Sequence, residues 1–375
     1  MYKKFQNFKI VILFLLLFSV DRIEAQEIKT KLGGRLLLDG ITYINSDDTL
    51  ANRFNIVDLR LTSKIYIDSS IYCKIDVGFA RNKVAIKDAF VQYNRRENYF
   101  RAGYMFGFFG LDQSTSTNDF VFNTGAGVAE LFYPGRRVGL SYTCSTIHYY
   151  LSNGLFFSDG LISDGDALKN GFNTSLRFVW RPINEECKLL HVGLSGFYKI
   201  PDVNKVTTKR RIELSGSGIT YLQSPELIHI DLEDVKYQVE TGVECYAFKD
   251  KWMIQGEYMR MLVNNNCKNF RAQGGYCQIG YLIKGNHYGY DQTDAVPIMP
   301  SDKNSLMIVA RYNVTRLEYS DNYECGHITF NIGVNYYLNK HISGKINYTE
   351  ECNVRNLKLA YPKSRNIQIR LQFTI

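Results

Sequence analysis

The chain has 375 residues, with 45 Lys and Arg against 37 Asp and Glu, for a formal net charge of +8. Its 27 Tyr and 23 Phe beside only 7 Pro bias it toward strands. The eight cysteines are scattered with no CxxC or Cys/His spacing, which argues against a disulfide scaffold and against zinc or thiol redox chemistry. The mean hydropathy of −0.22 does not exclude a membrane protein, because an average cannot register apolar residues placed at alternate positions.

The N-terminal stretch MYKKFQNFKIVILFLLLFSVDRIEAQ sets Lys3, Lys4 and Lys9 before an apolar run from Ile10 to Phe18, with Ala25 just before Gln26. This three-part layout predicts a secretory signal peptide over residues 1–25, and residues 26–375 are then expected to form one domain. The run is about half of the roughly 20 residues that a spanning helix needs. Loss of residues 1–25 removes Lys3, Lys4, Lys9 and Arg22 against Asp21 and Glu24, so the charge falls from +8 to +6.

From there the chain alternates. In IVDLRLTSKIYI, Val57, Leu59, Leu61, Ile65 and Ile67 are interleaved with Asp58, Arg60, Thr62, Lys64 and Tyr66. In IYCKIDVGF, Ile71, Cys73, Ile75, Val77 and Phe79 are interleaved with Tyr72, Lys74 and Asp76. GFNTSLRFVWR sets Phe172, Leu176, Phe178 and Trp180 against Asn173, Ser175, Arg177 and Arg181. ITFNIGVNYYL and the closing IQIRLQFTI repeat the pattern. Period-two alternation over nine or more residues means a strand with one apolar and one wet face, and about 9–11 residues cross a bilayer at a tilt.

In chain order the predicted strands are 32–43, 54–67, 71–80, 84–93, 99–105, 136–144, 147–156, 171–181, 188–199, 235–248, 252–262, 270–284, 305–314, 328–338, 341–349 and 367–375. Sixteen is the even number that a closed antiparallel barrel requires. Short connections alternate with long ones (106–135, 157–170, 200–234 and 349–366), as periplasmic turns alternate with outer loops. Segments 81–83 and 285–304 break the rule. Tyr43, Tyr93, Tyr142, Tyr198, Tyr258, Tyr336 and Tyr348 suit interfacial girdles. A secreted β-sandwich would bury its apolar faces against each other; strand length and the aromatic strand ends favour the membrane. The last strand is expected to pair with the first, its apolar face on lipid and Arg370 facing water. The fold expected is all-β, a 16-stranded antiparallel transmembrane barrel.

Several blocks resemble the phosphate-selective porin family, porins O and P, of bacterial outer membranes. They are VGFARNKVAIKDAFVQY (77–93), FRAGYMFGFFGLDQSTSTNDFVF (100–122), LFYPGRRVGLSY (131–142), GYCQIGYLIKG (275–285), FNIGVNYYLNKHISGKINY (330–348) and the terminal IQIRLQF. KDAFVQY and PGRRVG are the most specific. The resemblance implies a trimeric barrel in the outer membrane, narrowed by inward-folded loops and lined by Arg and Lys. It further implies passive diffusion of small solutes, favouring anions, with phosphate among them.

With the apolar phase assigned to lipid, the cations of the polar phase are Arg60, Lys64, Lys74, Arg101, Arg137, Arg177, Arg181, Lys199, Lys236, Arg311, Lys345 and Arg370. The anions there are Asp58, Asp76, Asp88, Glu240, Glu244 and Glu257. Twice as many cations as anions in a narrow channel would concentrate anions, with Arg offering phosphate a planar pair of donors. Segment 106–135 is the expected constriction, yet it departs from an anion filter. It holds no Lys or Arg between Phe106 and Gly135 but does hold Asp112, Asp119 and Glu130, and Phe108-Phe109 stands where the family often has Lys and Pro. Segment 200–234 would bring Lys209, Arg210 and Arg211 to the lumen if it folds inward.

His148, His191, His229, His287, His327 and His341 show no metal spacing, and no cofactor, metal or nucleic-acid partner is expected. The alternative function is a barrel enzyme or a surface-binding protein working through its outer loops, for which no Ser, His and acid set stands out. A Cys325–Cys352 bridge between neighbouring loops is a further expectation.

Overall fold

The computed structural model describes residues 28–44, 52–80, 83–132, 135–158, 167–216, 219–222, 228–266, 269–300, 302–319, 324–354 and 363–375. The proposed leader lies outside these residues. Sixteen antiparallel strands close into a barrel. They are β1 (Lys29–Tyr43), β2 (Arg53–Tyr66), β3 (Ile71–Ala80), β4 (Lys83–Arg95), β5 (Asn98–Phe106), β6 (Arg136–Ser145), β7 (Tyr149–Ser158) and β8 (Phe172–Glu185). The second half comprises β9 (Lys188–Ile200), β10 (Val235–Lys249), β11 (Trp252–Asn265), β12 (Phe270–Lys284), β13 (Ser305–Tyr319), β14 (Glu324–Tyr337), β15 (Ile342–Val354) and β16 (Lys363–Thr374). Every expected strand is present, and β13 to β16 run farther toward the loop end than their alternation suggested.

β1 closes on β16 from Arg35↔Thr374 to Tyr43↔Asn366, so both ends of the described barrel lie together. That end carries the short turns and is the periplasmic one by the short-turn rule. The apolar phase is the exposed phase. Leu61 is 58% exposed, Ile346 59% and Leu371 50%, and large apolar side chains cover the outer wall on both halves of the barrel. A surface that apolar fits lipid. The expected girdle tyrosines stand on the outward phase except Tyr43. It pairs with the buried Asn366 and shares the inward phase of Asp39 and Ile41.

Bulges explain other departures from simple alternation, since one extra residue flips the face of every residue beyond it. Between Val235 and Tyr237 the register slips, and Lys236, expected inside, is exposed there. Cys325 and Cys352 lie within β14 and β15 rather than in loops. Cys352 is a free thiol opposite Ile328, so the expected bridge is absent.

Candidate functional site

The lumen is largely filled by the segment between β5 and β6. Its pieces are α1 (Leu111–Ser114), a 3-10 turn at Thr117–Asp119 and α2 (Gly127–Leu131). Polar side chains from one wall seize its backbone. Ser175 Oγ accepts from Phe108 N at 3.3 Å and Ser195 Oγ from Gly110 N at 3.0 Å. Glu257 accepts from Leu111 N and Asp112 N, and Asn313 Oδ1 from Val128 N at 3.2 Å. Arg311 donates to Thr124 O at 3.1 Å, Asn335 to Val121 O at 2.7 Å, Lys345 to Phe120 O, and Gln372 to Asn118 O at 3.0 Å. Buried backbone polar groups need such partners. These anchors come from β8, β9, β11 and β13 to β16, so the segment lies along that wall.

Apolar packing holds it there as well. Phe109, Val128, Leu131 and Phe132 form one core with Met259, Met261, Val263, Phe270 and Leu317 of the barrel wall. The inward phase of β11 and β12 is therefore partly apolar, against the expectation of a uniformly wet lumen. On its outer side, α2 is covered by a hairpin, Arg211–Gly216 paired with Ile228–Glu233, whose Ile212, Leu214 and Leu232 join the same core.

The long periplasmic connection also turns inward. Its hairpin pairs Gly289–Asp291 with Val296–Ile298. Arg177 donates to Asp294 O at 3.0 Å and Ala295 O at 2.8 Å, and Arg181 to Gln292 O at 3.0 Å. Tyr290 stacks on Tyr246 with ring centroids 6.2 Å apart and shares a 2.8 Å hydrogen bond with His191.

Inward-facing cations stay partly exposed along β2 to β6. Arg60, Lys64, Lys74 and Arg101 are half-buried there. Arg60 lies 3.2 Å from Asp58 and 3.5 Å from Asp76. The Lys64 ammonium sits 5.7 Å over the Tyr72 ring. Lys74 is 2.6 Å from Asp88. Arg101 is 3.3 Å from Asp294 and stacks over Tyr99 at 4.7 Å and Phe90 at 5.1 Å.

Two half-buried cations of this track are additional to the expected set. Arg136 lies 2.9 Å from Asp88. Lys87 falls in the bulge opposite Asp76/Val77, with its aliphatic chain against Gly78, and a bulge is invisible to a parity count. Arg60, Lys74, Arg101 and Arg136 thus pair with Asp58, Asp76, Asp88 and Asp294, and Lys64 and Lys87 add two further cations beside them. Arg35, also additional, is buried, pairs with Asp58 and reaches Ser116 Oγ at 3.3 Å. Arg35 thus links the track to the filling segment.

The other expected lining residues sit elsewhere. Arg137 is buried near the outer end of β6. Arg177 is buried 2.8 Å from Glu244, and Arg370 is buried with two 2.6 Å bonds to Asp39. Arg311 is buried 4.6 Å over the Phe122 ring. Arg177, Arg370 and Arg311 are thus occupied by protein groups rather than presented to water. The outer hairpin does fold onto the core, but Lys209 and Arg211 lie on its exposed side, near Glu233 at 3.9 Å and paired with Asp231 respectively. Arg210 donates to Pro201 O at 3.2 Å.

Between α1 and the wall a cavity of about 10 Å³ is lined by Asp112, Asp119, Gln255, Gln278 and Arg311 among others, room for about one water. Burial pushes the Asp112 carboxyl up to about 6, against the pull of Arg311 and of Ala126 N–H. Burial likewise raises Asp119 to about 6, although Met299 N–H and Lys345 favour its charge. Asp294 is the reverse case, because Arg101 and the Tyr99 hydroxyl outweigh its burial and hold it below the usual carboxylate range. No group of three potential metal ligands occurs among the described residues.

Comparison with known proteins agrees with this architecture. A Caulobacter vibrioides protein of unknown function is 24% identical over 247 residues, 62% of this chain and 48% of its own. Porin O of Pseudomonas aeruginosa is 26% identical over 219 residues, 51% of this chain and 49% of its own. The chain spans about half the length of the curated relatives it matches. Among solved structures, a loop L8 deletion mutant of the Vibrio cholerae outer-membrane protein OmpT superposes with a TM-score of 0.63 at 11% identity, covering 93% of this chain and 100% of that one. The anion-selective porin of Comamonas acidovorans gives 0.59 at 10% identity, with 93% and 100% covered. The family described as phosphate-selective porin O and P matches residues 43–375, and the chain is an outer-membrane β-barrel belonging to that family.

Proposed function

We propose that the barrel is a diffusion channel for small solutes that favours anions, with phosphate-like anions among them. The observation that carries this reading is the half-buried track along β2 to β6, where six cations stand beside four carboxylates and four of the six are paired with them. A cationic surplus in a narrow polar path raises local anion concentration and disfavours cations. Because segment 107–132 contributes no Lys or Arg, discrimination among anions falls to the wall, chiefly to Arg60 and Arg101 with their planar donors. Assembly as a homotrimer is part of the proposal, supported by a trimer form of Vibrio cholerae OmpT among the similar folds.

Among the described residues the enzyme alternative has two clusters to offer. In one, His191 lies 2.9 Å from Glu244 and Ser195 Oγ donates to that carboxylate at 3.5 Å. In the other, His327 lies 2.6 Å from Glu351, and Ser364 Oγ donates to that same carboxylate at 2.8 Å. In each the serine is thus bonded to the acid and not to the histidine, which is the wrong order for base-activated attack. The channel reading is tested with purified protein in planar bilayers under a KCl gradient, followed by added phosphate. An anion-selective reversal potential with current reduced by phosphate is expected. Cation selectivity, or a closed barrel without conductance, would refute the reading.

A further inference from the structure

The outer wall carries a charge cluster unrelated to the lumen. Arg260 on β11, Arg271 on β12 and Arg316 on β13 are all exposed on the lipid-facing phase, on three adjacent strands. Gln273 separates two of them, being registered with Arg260 on one side and with Arg316 on the other. Arg271 stands two residues from Gln273 on the same face. Cross-strand neighbours lie about 5 Å apart and diagonal ones about 7–8 Å, so the three guanidinium stems form a triangle with sides of roughly 7–10 Å.

The depth of this triangle is telling. Arg260 follows Trp252 by eight residues on one strand. At about 3.4 Å per residue and about 40° of tilt, that is roughly 20 Å of membrane height. Trp252 is exposed near the periplasmic end and packs against Tyr281 with tilted rings 4.7 Å apart, so Arg260 lies close to the far edge of an apolar band about 25 Å tall. Exposed Tyr258 and Tyr312 lie just beneath the arginines, and Tyr258 donates to Gln273 at 3.0 Å. Aromatic rings mark the interface level, and long basic side chains bury their stems there while raising the charge into the headgroups.

The cluster is not neutralised by the described residues. None of the three arginines makes a hydrogen bond or ion pair with a described residue. Glu318, registered with Arg271, is the one carboxylate placed directly across from an arginine of this triangle among the described side chains. Arg365 on β16 shows the contrasting arrangement, paired to Glu350 at 3.2 Å. Guanidinium forks suit phosphate geometry, and the surface facing this height on the loop side of an outer membrane is the outer-leaflet headgroup layer.

We propose that Arg260, Arg271 and Arg316 form an external binding site for the phosphate groups of a phosphorylated glycolipid in that outer leaflet. Neighbouring guanidiniums of the triangle hold one phosphate between them, and the apolar floor takes the adjoining acyl chains.

The test uses the full-length barrel in detergent. Native mass spectrometry compares retention of bisphosphorylated lipid A with the same lipid after removal of its phosphates. The unsubstituted protein is expected to prefer the bisphosphorylated form by about tenfold or more, as charge-assisted bonds imply. The R260Q/R271Q/R316Q variant should lose that preference, and R260K/R271K/R316K should keep most of it. If the triple Gln variant does not fold, single R260Q and R316Q variants decide, each expected to lose part of the preference.

Equal binding of both lipids, or a preference that survives the Gln substitutions, overturns the site. Displacement by millimolar inorganic phosphate as effective as displacement by lipid would make it a free-anion site instead. Dissociation of the native oligomer in the Gln variant would make it a subunit contact. Conductance and reversal potential should not change in any of these variants, so failure here leaves the channel reading standing.

Discussion

Glu257 closes both carboxylate oxygens onto the start of α1, with Oε1 2.5 Å from Leu111 N and Oε2 2.8 Å from Asp112 N. Gly110, at φ 68°, makes the sharp entry that presents these N–H groups, a conformation glycine adopts without strain. Tyr276 donates to the same carboxylate at 2.7 Å. A barrel strand thus supplies the helix cap that the segment's own residues do not. E257A should free two buried N–H groups at about 1–3 kcal/mol each and loosen the segment at that point. Larger, noisier single-channel currents are expected, with E257Q intermediate; traces indistinguishable from those of the parent protein would contradict the anchoring role.

Neutralising the half-buried track should act on selectivity. In R60Q/K74Q/R101Q, three cations vanish while Asp76, Asp88 and Asp294 remain. Each charge beside the path is worth about 1 kcal/mol or more at contact distance. The anion-to-cation permeability ratio should fall several-fold, toward neutrality or beyond. An unchanged reversal potential would mean that solute travels along another wall.

Arg370 should behave differently, although it shares the inward phase. It is buried with Asp39 across the β1–β16 seam. R370Q leaves a buried carboxylate unpaired, at about 3–5 kcal/mol, and should lower the temperature at which the barrel unfolds on gels while leaving selectivity intact. D39N/R370Q should recover most of the loss.

Asp294 restrains one end of the track by holding Arg101 at 3.3 Å. D294N should release that guanidinium to passing solute and increase anion preference, with weaker docking of the periplasmic hairpin measurable as faster amide exchange around Tyr290. A fall in anion preference would show that Arg101 needs its partner for position more than it loses charge to it.

The filling segment adds a pH dependence. Asp112 and Asp119 take protons near pH 6 in the folded protein and near pH 4 in an unfolded chain. The folded state therefore binds protons preferentially between those values. The stability these groups contribute is fully present below about pH 4 and is lost as pH rises through about 6. The same ionisation adds two negative charges to the segment, so anion preference should be greater at pH 5 than at pH 7.5. D112N/D119N should remove that difference, and an undiminished pH effect in this variant would place its source elsewhere.

The strands and their two faces were legible because lipid demands one apolar residue in two wherever the wall spans the membrane, as in Ile367 to Phe373. What the alternation conceals is how the wet face is divided. Arg60 and Arg177 have the same parity and the same flanking pattern. Only the course of segment 107–132 and the periplasmic hairpin separates them, leaving one partly exposed and the other buried beneath backbone carbonyls. Bulges account for Lys87 and Lys236. The inward methionines of β11 carried a readable sign, since Met259, Met261 and Val263 break the polar phase where the filling segment rests.

Most of the hydrogen bonds that tether that segment grip its main chain, while Ser116, Asn118, Asp119 and Asn123 are also held by their side chains. Phe108, Gly110, Leu111, Asp112 and Val128 are held by their amides, and Asn118, Phe120, Val121 and Thr124 by their carbonyls. Main-chain groups are common to every residue type except proline at its nitrogen. Side chains on the surface of the segment that faces the track can consequently be exchanged during descent without unseating it, so relatives built on the same mounting are free to differ in the solutes they admit.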